Sequence, residues 1–427
     1  MTRISDLQSG MIAVLDIGTA KTVCLIAARN QSRSDRDESA GLGVPYRILG
    51  VGHQQSRGIK AGVVIDLAEA EASIRGTIAQ AERMAGVTLD RVYVAVSCGR
   101  LKSHSVTASI EIGGTHVTAR DLSRLMSGAR AYIERDGRRL VHLNRKAVHL
   151  DGTANGGALI GMVARQMSTG IHAVSADEAP IRNLTMVLER CHVGIAGLVA
   201  APYASALAAT SEEERQLGIT VIDIGAGTTK LAAYSNGHLE HVRSIPFGSG
   251  LITTDIARAL HTPLIEAERI KVLYGNLLSA RSDEHEEFLY PSVNTDDGPT
   301  QHATRAQLAS IIRPRTAEIL QAVASQLDRR QSRGGADASL VLTGGGSLLN
   351  GMPEFACDVL QRSVRRAQPA EVSGLPPVAC TPAFSTAIGL LLANSGDQDL
   401  HTAGAEPDES EFDGYFQRVG AWLKSGF

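Results

Sequence analysis

Hydrophobic and polar positions recur with two periods along the chain, and the two periods predict different elements. Apolar residues return about every 3.6 positions over 67–85, 179–191 and 304–327, which is typical of amphipathic helices. Short apolar runs such as RVYVAVS and SLVLTG lie between them and predict strands. Because strands alternate with helices, we expect an α/β fold.

Two predicted hairpins, far apart in the chain, have the same pattern of strand, glycine-containing turn and strand. IAVLDIGTAKTVCLIA, which starts at Ile12, matches ITVIDIGAGTTKLAAY, which starts at Ile219, at six of sixteen positions. We interpret the pair as an internal duplication. The matched residues that bear on chemistry are Asp16 with Asp223 and Gly18 with Gly225.

The stretch between the hairpins contains a segment, about 90–169, that has short strands of its own. These strands are VTASIEI, RLVHLNR and AVHL, and a loop rich in Gly and Ala follows them. A chain of 427 residues exceeds what one hydrophobic core usually supports, so two or three domains are expected. The segment therefore predicts a separate inserted subdomain.

The composition changes abruptly near the C-terminus. Residues 395–410 are small or polar with Leu400 the only large apolar one, which predicts a flexible linker. The last segment, 412–427, resumes helical spacing with one apolar face, formed by Phe412, Tyr415, Phe416, Val419, Trp422 and Leu423. Arg418 and Lys424 can meet anionic lipid headgroups, so we expect a helix that lies in a membrane surface. Docking of this helix on the protein itself is the alternative, and the polar linker argues against it.

Charge and composition exclude some partners and compartments. The formal net charge is −3, and the basic residues are spread along the chain, so we expect no nucleic-acid partner. The first ten residues, MTRISDLQSG, lack the apolar core of a signal peptide. No apolar run approaches the roughly 18 residues that span a bilayer. We therefore expect the chain to stay in the cytoplasm.

The duplicated turns suggest phosphate chemistry, because glycine lets backbone N–H groups approach an anion closely. Two such turns that face each other would grip a polyphosphate from both sides. Asp16 and Asp223 could hold Mg²⁺ through its waters, and Lys21 could contact a phosphate. For one hairpin alone, a plain strand end before a glycine turn explains the pattern equally well. A third glycine cluster, LVLTGGGSLLNG, is by itself best explained as a loop.

Taken together, these motifs resemble a known family. DIGTAKT, DIGAGTT, FGSGLITTDIA with EAERIK, and TGGGSLLNG occur in the order of the nucleotide motifs of the actin superfamily. With GIKAGVVIDL, RVYVAVSCG, APYASALA, TPAFSTAIGLL and the tail, the set resembles the FtsA family of bacterial cell-division proteins over nearly the whole chain. The resemblance implies an α/β, actin-like two-lobed fold with a duplicated core and an inserted FtsA-type subdomain. The implied units are a first lobe (11–87 and 172–215), the insert (88–171), a second lobe (216–394), a linker (395–411) and an amphipathic membrane-targeting helix (412–427).

The resemblance also implies a site for ATP and Mg²⁺ in the cleft between the lobes, with the metal near Asp16 and Asp223. For Glu268 and Lys271, without the family, a solvated pair on one helix face would be the preferred interpretation. The implied nucleotide-binding residues are Asp16, Gly18, Thr19 and Lys21 in the first phosphate loop, Asp223, Gly225, Gly227 and Thr228 in the second, Glu268 and Lys271 near the ribose and base, and Gly344, Gly345 and Ser347 in the adenosine pocket.

Three positions depart from the family pattern. Ala20 stands where some relatives have a hydroxyl residue, Ala226 replaces a common glycine, and Lys230 falls where the superfamily often has an acid. No Glu or Gln in GLVAAPYASALA presents itself as the group that would orient an attacking water. We therefore expect ATP binding with at most slow hydrolysis, the nucleotide acting mainly on lobe closure and filament formation.

The implied role is to anchor the ring of the tubulin-like protein FtsZ to the cytoplasmic side of the inner membrane at the division site. The implied partners are FtsZ, later division proteins, further copies of the chain in filaments, and the anionic membrane surface. Three alternatives share the fold: a small-molecule kinase, a chaperone-type ATPase and a pilus-assembly ATPase. The first lacks a visible catalytic base, and the second needs more than the 35 residues that follow Leu392. The tail and the insert favour division over pilus assembly.

Overall fold

Strands and helices alternate through the described part of the chain, so the α/β prediction is confirmed. The three helices predicted from periodicity are present as Leu67–Ala85, Glu178–Arg190 and Arg305–Gln331. The structure, a computed structural model, describes residues 2–4, 10–29, 45–134, 137–155, 159–278, 280–293, 301–331, 339–395 and 400–402.

The strands are mostly short and apolar, as expected for strands that are buried on at least one face. In chain order they are β1 Thr2–Ile4, β2 Met11–Ile17, β3 Lys21–Arg29, β4 Tyr46–Gln55, β5 Ile59–Lys60, β6 Val63–Val64, β7 Val87–Leu89, β8 Arg91–Val96, β9 Lys102–His116, β10 Arg138–Leu150, β11 Thr153–Asn155, β12 Val163–Asp177, β13 Gly194–Ala200, β14 Ile219–Ile224, β15 Thr229–Ser235, β16 His238–Ile245, β17 Glu287–Tyr290, β18 Gln301–Thr304, β19 Ser339–Thr343, β20 Val364–Arg366 and β21 Leu400–Thr402.

The helix ends follow local capping chemistry. The first helix begins where the Asp66 side chain accepts from the N–H groups of Ala68 and Glu69, and it ends at Gly86 in the left-handed conformation. The α-helices are α1 Leu67–Ala85, α2 Ala119–Ile133, α3 Glu178–Arg190, α4 Ala201–Ala209, α5 Glu212–Leu217, α6 Gly250–Leu260, α7 Leu264–Tyr274, α8 Arg305–Gln331, α9 Met352–Leu360 and α10 Ser385–Ala393.

Two five-stranded sheets have the same topology. The first has the order β13-β8-β2-β3-β4, and the second has the order β20-β19-β14-β15-β16. In each sheet the hairpin strands and the strand after them are antiparallel, whereas the other two strands are parallel to the first hairpin strand. The internal duplication predicted from the two hairpins therefore extends to both whole sheets.

The second sheet separates two hydrophobic cores. Val221 and Val341 point into the larger core, which also holds the first sheet and the helices α4 and α10. Their neighbours Ile222 and Leu342 point the other way, into the core formed with α6, α8 and α9. A Cβ on Gly389 of α10 would lie 1.6 Å from the carbonyl oxygen of Ala204 in α4, so glycine permits this close helix crossing. The last helix of the second lobe is thereby packed against the first lobe.

The inserted subdomain has its own sheet and core. Its strands lie in the order β11-β10-β12-β9, and α2 packs on them through Leu125 and Met126. We predicted the insert at 88–171, but β8 pairs with β2 and β13 and so belongs to the first lobe's sheet. The separate sheet occupies residues 102–177.

The predicted linker, 395–411, is only partly described by the structure. Leu400–Thr402 form β21, which pairs antiparallel with β10 of the insert, so this part is a strand where we predicted a flexible segment. Residues 403–411 and the predicted tail helix, 412–427, lie outside the described residues. Within the part of the chain that the structure describes, no helix combines the length and apolarity needed to cross a membrane.

Candidate functional site

The first hairpin turn, between β2 and β3, closes on a backbone hydrogen bond. The Gly18 N–H donates to the Lys21 carbonyl at 2.9 Å, and a Cβ on Gly18 would lie 2.9 Å from that oxygen. Lys21 then leaves the turn with its Nζ 3.6 Å from the centre of the Phe384 ring, a cation–π contact. Burial lowers the pKa of Lys21 to about 8, although Asp16 and Asp223 act in the opposite direction.

The second hairpin turn, between β14 and β15, repeats this geometry. The Gly225 N–H donates to the Thr228 carbonyl at 2.9 Å, and a Cβ on Gly225 would lie 3.0 Å from it. The start of α6 holds the turn from behind, because the Ser249 N–H donates to the Gly225 carbonyl at 2.8 Å and the Gly250 N–H donates to the Ala226 carbonyl at 2.9 Å. The turn is therefore fixed by its own hydrogen bond and by the start of α6.

The two turns meet at one cavity of about 400 Å³. A Cβ on Gly227 would lie 2.4 Å from the Oγ1 of Thr19, so the lobes touch at this point only because residue 227 has no side chain. Apart from Ser347, every nucleotide-binding residue that we predicted lines this cavity. They are Asp16, Gly18, Thr19, Lys21, Asp223, Gly225, Gly227, Thr228, Glu268, Lys271, Gly344 and Gly345.

The two aspartates share the cavity but have different surroundings. Asp223 is 3% exposed, and its Oδ2 accepts from Lys230 Nζ at 2.9 Å and from Thr386 Oγ1 at 3.4 Å. Burial raises the pKa of Asp16; Lys230 and Lys21 act to lower it, and Asp223 adds to the rise. Asp223 is thus paired with a lysine of its own hairpin.

Glu268 and Lys271 form a fixed pair on α7. Lys271 is 9% exposed, and its Nζ donates to Glu268 Oε2 at 2.7 Å and to Thr253 Oγ1 at 2.9 Å. Thr253 Oγ1 in turn donates to the same carboxylate oxygen at 2.5 Å. Lys271 is therefore buried where residue spacing alone would suggest a solvated pair, while Glu268 remains half-exposed.

The third glycine cluster closes the cavity from the side of β19. Gly344 has φ +82°, and a Cβ there would lie 2.3 Å from Asp223 Oδ1, so glycine is required on both counts. We expected Ser347 to line the pocket, but it is fully buried and its Oγ donates to the Gly344 carbonyl at 2.7 Å. Ser347 supports the loop from beneath.

Several cavity residues were not predicted from the sequence as site residues. Thr386 lines the cavity and contacts Asp223; it comes from the TPAFSTAIGLL motif, to which we gave no role. Phe384 of the same motif contacts Lys21 from outside the cavity lining. Lys230 was noted as a departure from the family, with no partner assigned. Asn276 and Arg305 also line the cavity, and no motif marks them.

The donors around the cavity fit a polyphosphate better than they fit a shared metal ion. The backbone N–H groups of two glycine-containing turns can donate to phosphate oxygens. So can the ammonium groups of Lys21, Lys230 and Lys271, which also line the cavity. Lys230 already contacts Asp223, so direct coordination of a metal by Asp223 would compete with this ion pair, and the site for Mg²⁺ at Asp16 and Asp223 stays a prediction. Among the described residues, no three His, Cys, Asp or Glu side chains are placed to hold a metal.

Two family models match this chain, and they match different parts of it. The model "Cell division protein FtsA" matches residues 220–389, within the second lobe. The model "SHS2 domain inserted in FTSA" matches residues 98–175, nearly the extent of the separate insert sheet. The family models thus match the insert and the second lobe, in the order in which the fold places them.

Relatives match over almost the full length. Cell division protein FtsA of Rhizobium meliloti is 38% identical over 424 residues, which cover 98% of this chain and 96% of the relative. The FtsA protein of Escherichia coli K12 is 30% identical over 427 residues, 98% of each chain. Among solved structures, a chain of the PilM-PilN type IV pilus biogenesis complex superposes with a TM-score of 0.61 at 18% identity, covering 93% of this chain and 99% of that one, and shows the fold alone. The chain has the actin-like two-lobed fold with an inserted subdomain, and it belongs to the FtsA family of cell division proteins.

Proposed function

We propose that this chain is an ATP-binding division protein that anchors the FtsZ ring to the cytoplasmic side of the inner membrane. The observation that carries the nucleotide part is the convergence of two duplicated turns on one cavity, with Gly227 against Thr19. Membership of the FtsA family supports the division part. In this role the chain also helps to recruit later division proteins and associates with further copies of itself.

In the proposed complex the triphosphate lies between the two turns, within reach of Lys21. The adenosine lies toward α7, where Glu268 is half-exposed while its Oε2 is bonded to Lys271. The second carboxylate oxygen then faces a ribose hydroxyl, and the bare backbone of Gly344 and Gly345 receives the flat base. Asp16 remains to face any Mg²⁺ that arrives with the nucleotide.

We propose that hydrolysis in this cavity is slow. The carboxylates on its wall are Asp16, Asp223 and Glu268, and the last two are engaged by lysines. The helix α4, within the GLVAAPYASALA segment, is apolar and almost wholly buried, and it offers no Glu or Gln to orient water. ATP would then mainly set lobe closure and filament formation. A turnover of about 10 per second by the purified chain would contradict this.

The membrane part of the proposal rests on the sequence of 412–427, because these residues lie outside the described structure. The apolar face from Phe412 to Leu423 and the basic residues Arg418 and Lys424 suit a helix lying in an anionic membrane surface. Trp422 adds an apolar ring with one polar N–H, which suits the interface. Filament formation would multiply such attachments, so that weak single tails together hold firmly.

The experiment that tests this role compares fluorescent fusions of the full chain and of a chain lacking 412–427 in dividing cells. We expect a midcell band for the full chain and a diffuse signal, with recovery in the soluble fraction, for the truncated one. A matched pair of variants separates the faces of the helix: Phe416→Ala with Trp422→Ala should release the protein, whereas Gln417→Ala with Ser425→Ala, on the opposite face, should not. A truncated chain that still sediments with membranes would refute the anchor.

A further inference from the structure

Lys230 is a buried lysine that projects into the cavity from the second strand of the second hairpin. It lies directly opposite Asp223 in the antiparallel register of β14 and β15. Opposed residues have their Cβ atoms about 5 Å apart, so the pairing of the strands itself brings ammonium and carboxylate together. The contact is 2.9 Å, and the two side chains are only 10% and 4% exposed.

The hairpin fold does not require a lysine at this position. The equivalent residue of the first hairpin is Val23, which is fully buried. Val23 lies opposite Asp16, just as Lys230 lies opposite Asp223. Both hairpins close their turns with the same hydrogen bond, at Gly18 and at Gly225. An apolar side chain is therefore compatible with this architecture, and the lysine needs another explanation.

The explanation lies in the charges on the cavity wall. The carboxylates that line the cavity are Asp16, Asp223 and Glu268, and the cations are Lys21, Lys230, Lys271 and Arg305. With Lys230 the wall has one more cation than carboxylates; without it the two numbers are equal. An incoming polyphosphate thus finds an excess of positive charge that the chain itself supplies.

We propose that the Lys230 ammonium takes the place beside Asp223 that a divalent cation would otherwise occupy, so that this chain binds its nucleotide with little dependence on Mg²⁺. The proposal rests on the nucleotide binding proposed above and adds the source of the cation. Lys230 both neutralises Asp223 and lines the cavity, so it can donate to a phosphate oxygen as well. The second hairpin thereby has a covalently attached ammonium group, that of Lys230, at the position where a divalent cation would otherwise bind and dissociate.

The test measures ATP affinity of the full-length chain by titration calorimetry, in excess Mg²⁺ and again in EDTA. For the unaltered chain we expect the two dissociation constants to agree within about threefold. For Lys230→Gln we expect ATP to bind about tenfold or more weakly in EDTA than in Mg²⁺, because only the metal can now neutralise the negative charge of Asp223. Lys230→Arg, which keeps the charge, should behave like the unaltered chain.

Two further variants control for general damage to the site. Lys271→Gln removes another cavity cation away from Asp223, so it should weaken ATP binding by the same factor in both buffers. Asp223→Asn combined with Lys230→Gln removes both buried charges, so it leaves no unpaired carboxylate and serves if Lys230→Gln alone does not fold. In this double variant the dissociation constants in EDTA and in Mg²⁺ should again agree within about threefold. Circular dichroism and thermal unfolding confirm the folded state of each variant.

Different failures separate the two proposals. If the unaltered chain loses tenfold or more in EDTA, as Lys230→Gln does, then ATP binding stands and the role of Lys230 is wrong. That role is also wrong if all variants show one common ratio of the two dissociation constants. If the unaltered chain binds no ATP in either buffer, the nucleotide proposal fails and the inference about Lys230 fails with it.

Discussion

The two hairpins of this protein share a backbone but differ in where they place their lysine. Both have an aspartate at the end of the first strand and the same N–H to carbonyl bond across the turn. Lys21 stands at the turn of the first hairpin, where the second has Thr228. Lys230 stands two positions further along the second hairpin, where the first has Val23. The duplicated unit thus kept its geometry while its chemistry diverged.

The surroundings of the two lysines diverge as well. Burial lowers the pKa of Lys21 to about 8, against an upward pull from Asp16 and Asp223. Burial also acts to lower the pKa of Lys230. The negative charges of Asp223, which Lys230 contacts, and of Asp16 outweigh the effect of burial, so this pKa rises. One cavity therefore contains two lysines whose pKa values shift in opposite directions. The difference arises because Lys230 contacts Asp223 directly, whereas Lys21 lies against the Phe384 ring.

The largest expected effect comes from a point where the hairpins touch. Gly227→Val places methyl groups where even a Cβ would lie 2.4 Å from Thr19 Oγ1 and 3.0 Å from the backbone of Ala61, so the second turn must move away from the first lobe. Overpacking of this kind costs about 1–3 kcal/mol, and we expect ATP affinity to fall about 10- to 100-fold. Titration calorimetry with the full chain measures this.

The duplication provides the control for this substitution. Ala20 is the counterpart of Gly227 in the first hairpin, and it is exposed at the cavity mouth. Ala20→Val adds the same kind of bulk without pushing on the other turn, so we expect a loss of less than about threefold. Equal losses for the two variants would mean that contact between the turns does not shape the site.

The next effect concerns pH and sharpens the contrast between the lysines. Lys21 is protonated below about pH 8 and loses its charge above it, so ATP affinity should fall as pH rises through this value. Loss of one charged contact to a phosphate is worth about tenfold, and we expect that decline between about pH 7 and 9. Lys21→Arg, which stays charged, should remove the decline. A decline that persists in this variant would assign the titration to another group.

Much of the site could be predicted from sequence because the duplication made a weak signal strong. One DIG turn is ambiguous, but two of them at equivalent positions placed Asp16 and Asp223 in a common cavity. The partner of Lys230 was missed although a signal existed: in a hairpin with this turn, residues 223 and 230 lie opposite each other. The start of the insert was misplaced because β8 joins its sheet through a parallel, non-local pairing with β2, which no local pattern reveals.

The smallest expected effect concerns a feature that the hairpins still share. Thr22 and Thr229 occupy equivalent, fully buried positions, and each ties its hairpin to the segment that follows the third strand. Thr22 Oγ1 is 2.7 Å from Ser56 Oγ, and Thr229 Oγ1 donates to the Phe247 carbonyl at 2.9 Å. Replacing either threonine by valine keeps the shape and removes the hydrogen bond. We expect each change to lower the free energy of unfolding by about 1 kcal/mol.

Denaturant unfolding of the full chain measures these losses, and the chemistry of the partners predicts how they differ. In Thr22→Val the Ser56 hydroxyl is left in an apolar place, so adding Ser56→Ala should recover part of the loss. Thr229→Val has no such remedy, since its partner is a backbone carbonyl. If Thr229→Val is costly while Thr22→Val is neutral, the two hairpins are anchored differently to the segment after the third strand, although their sheets share one topology.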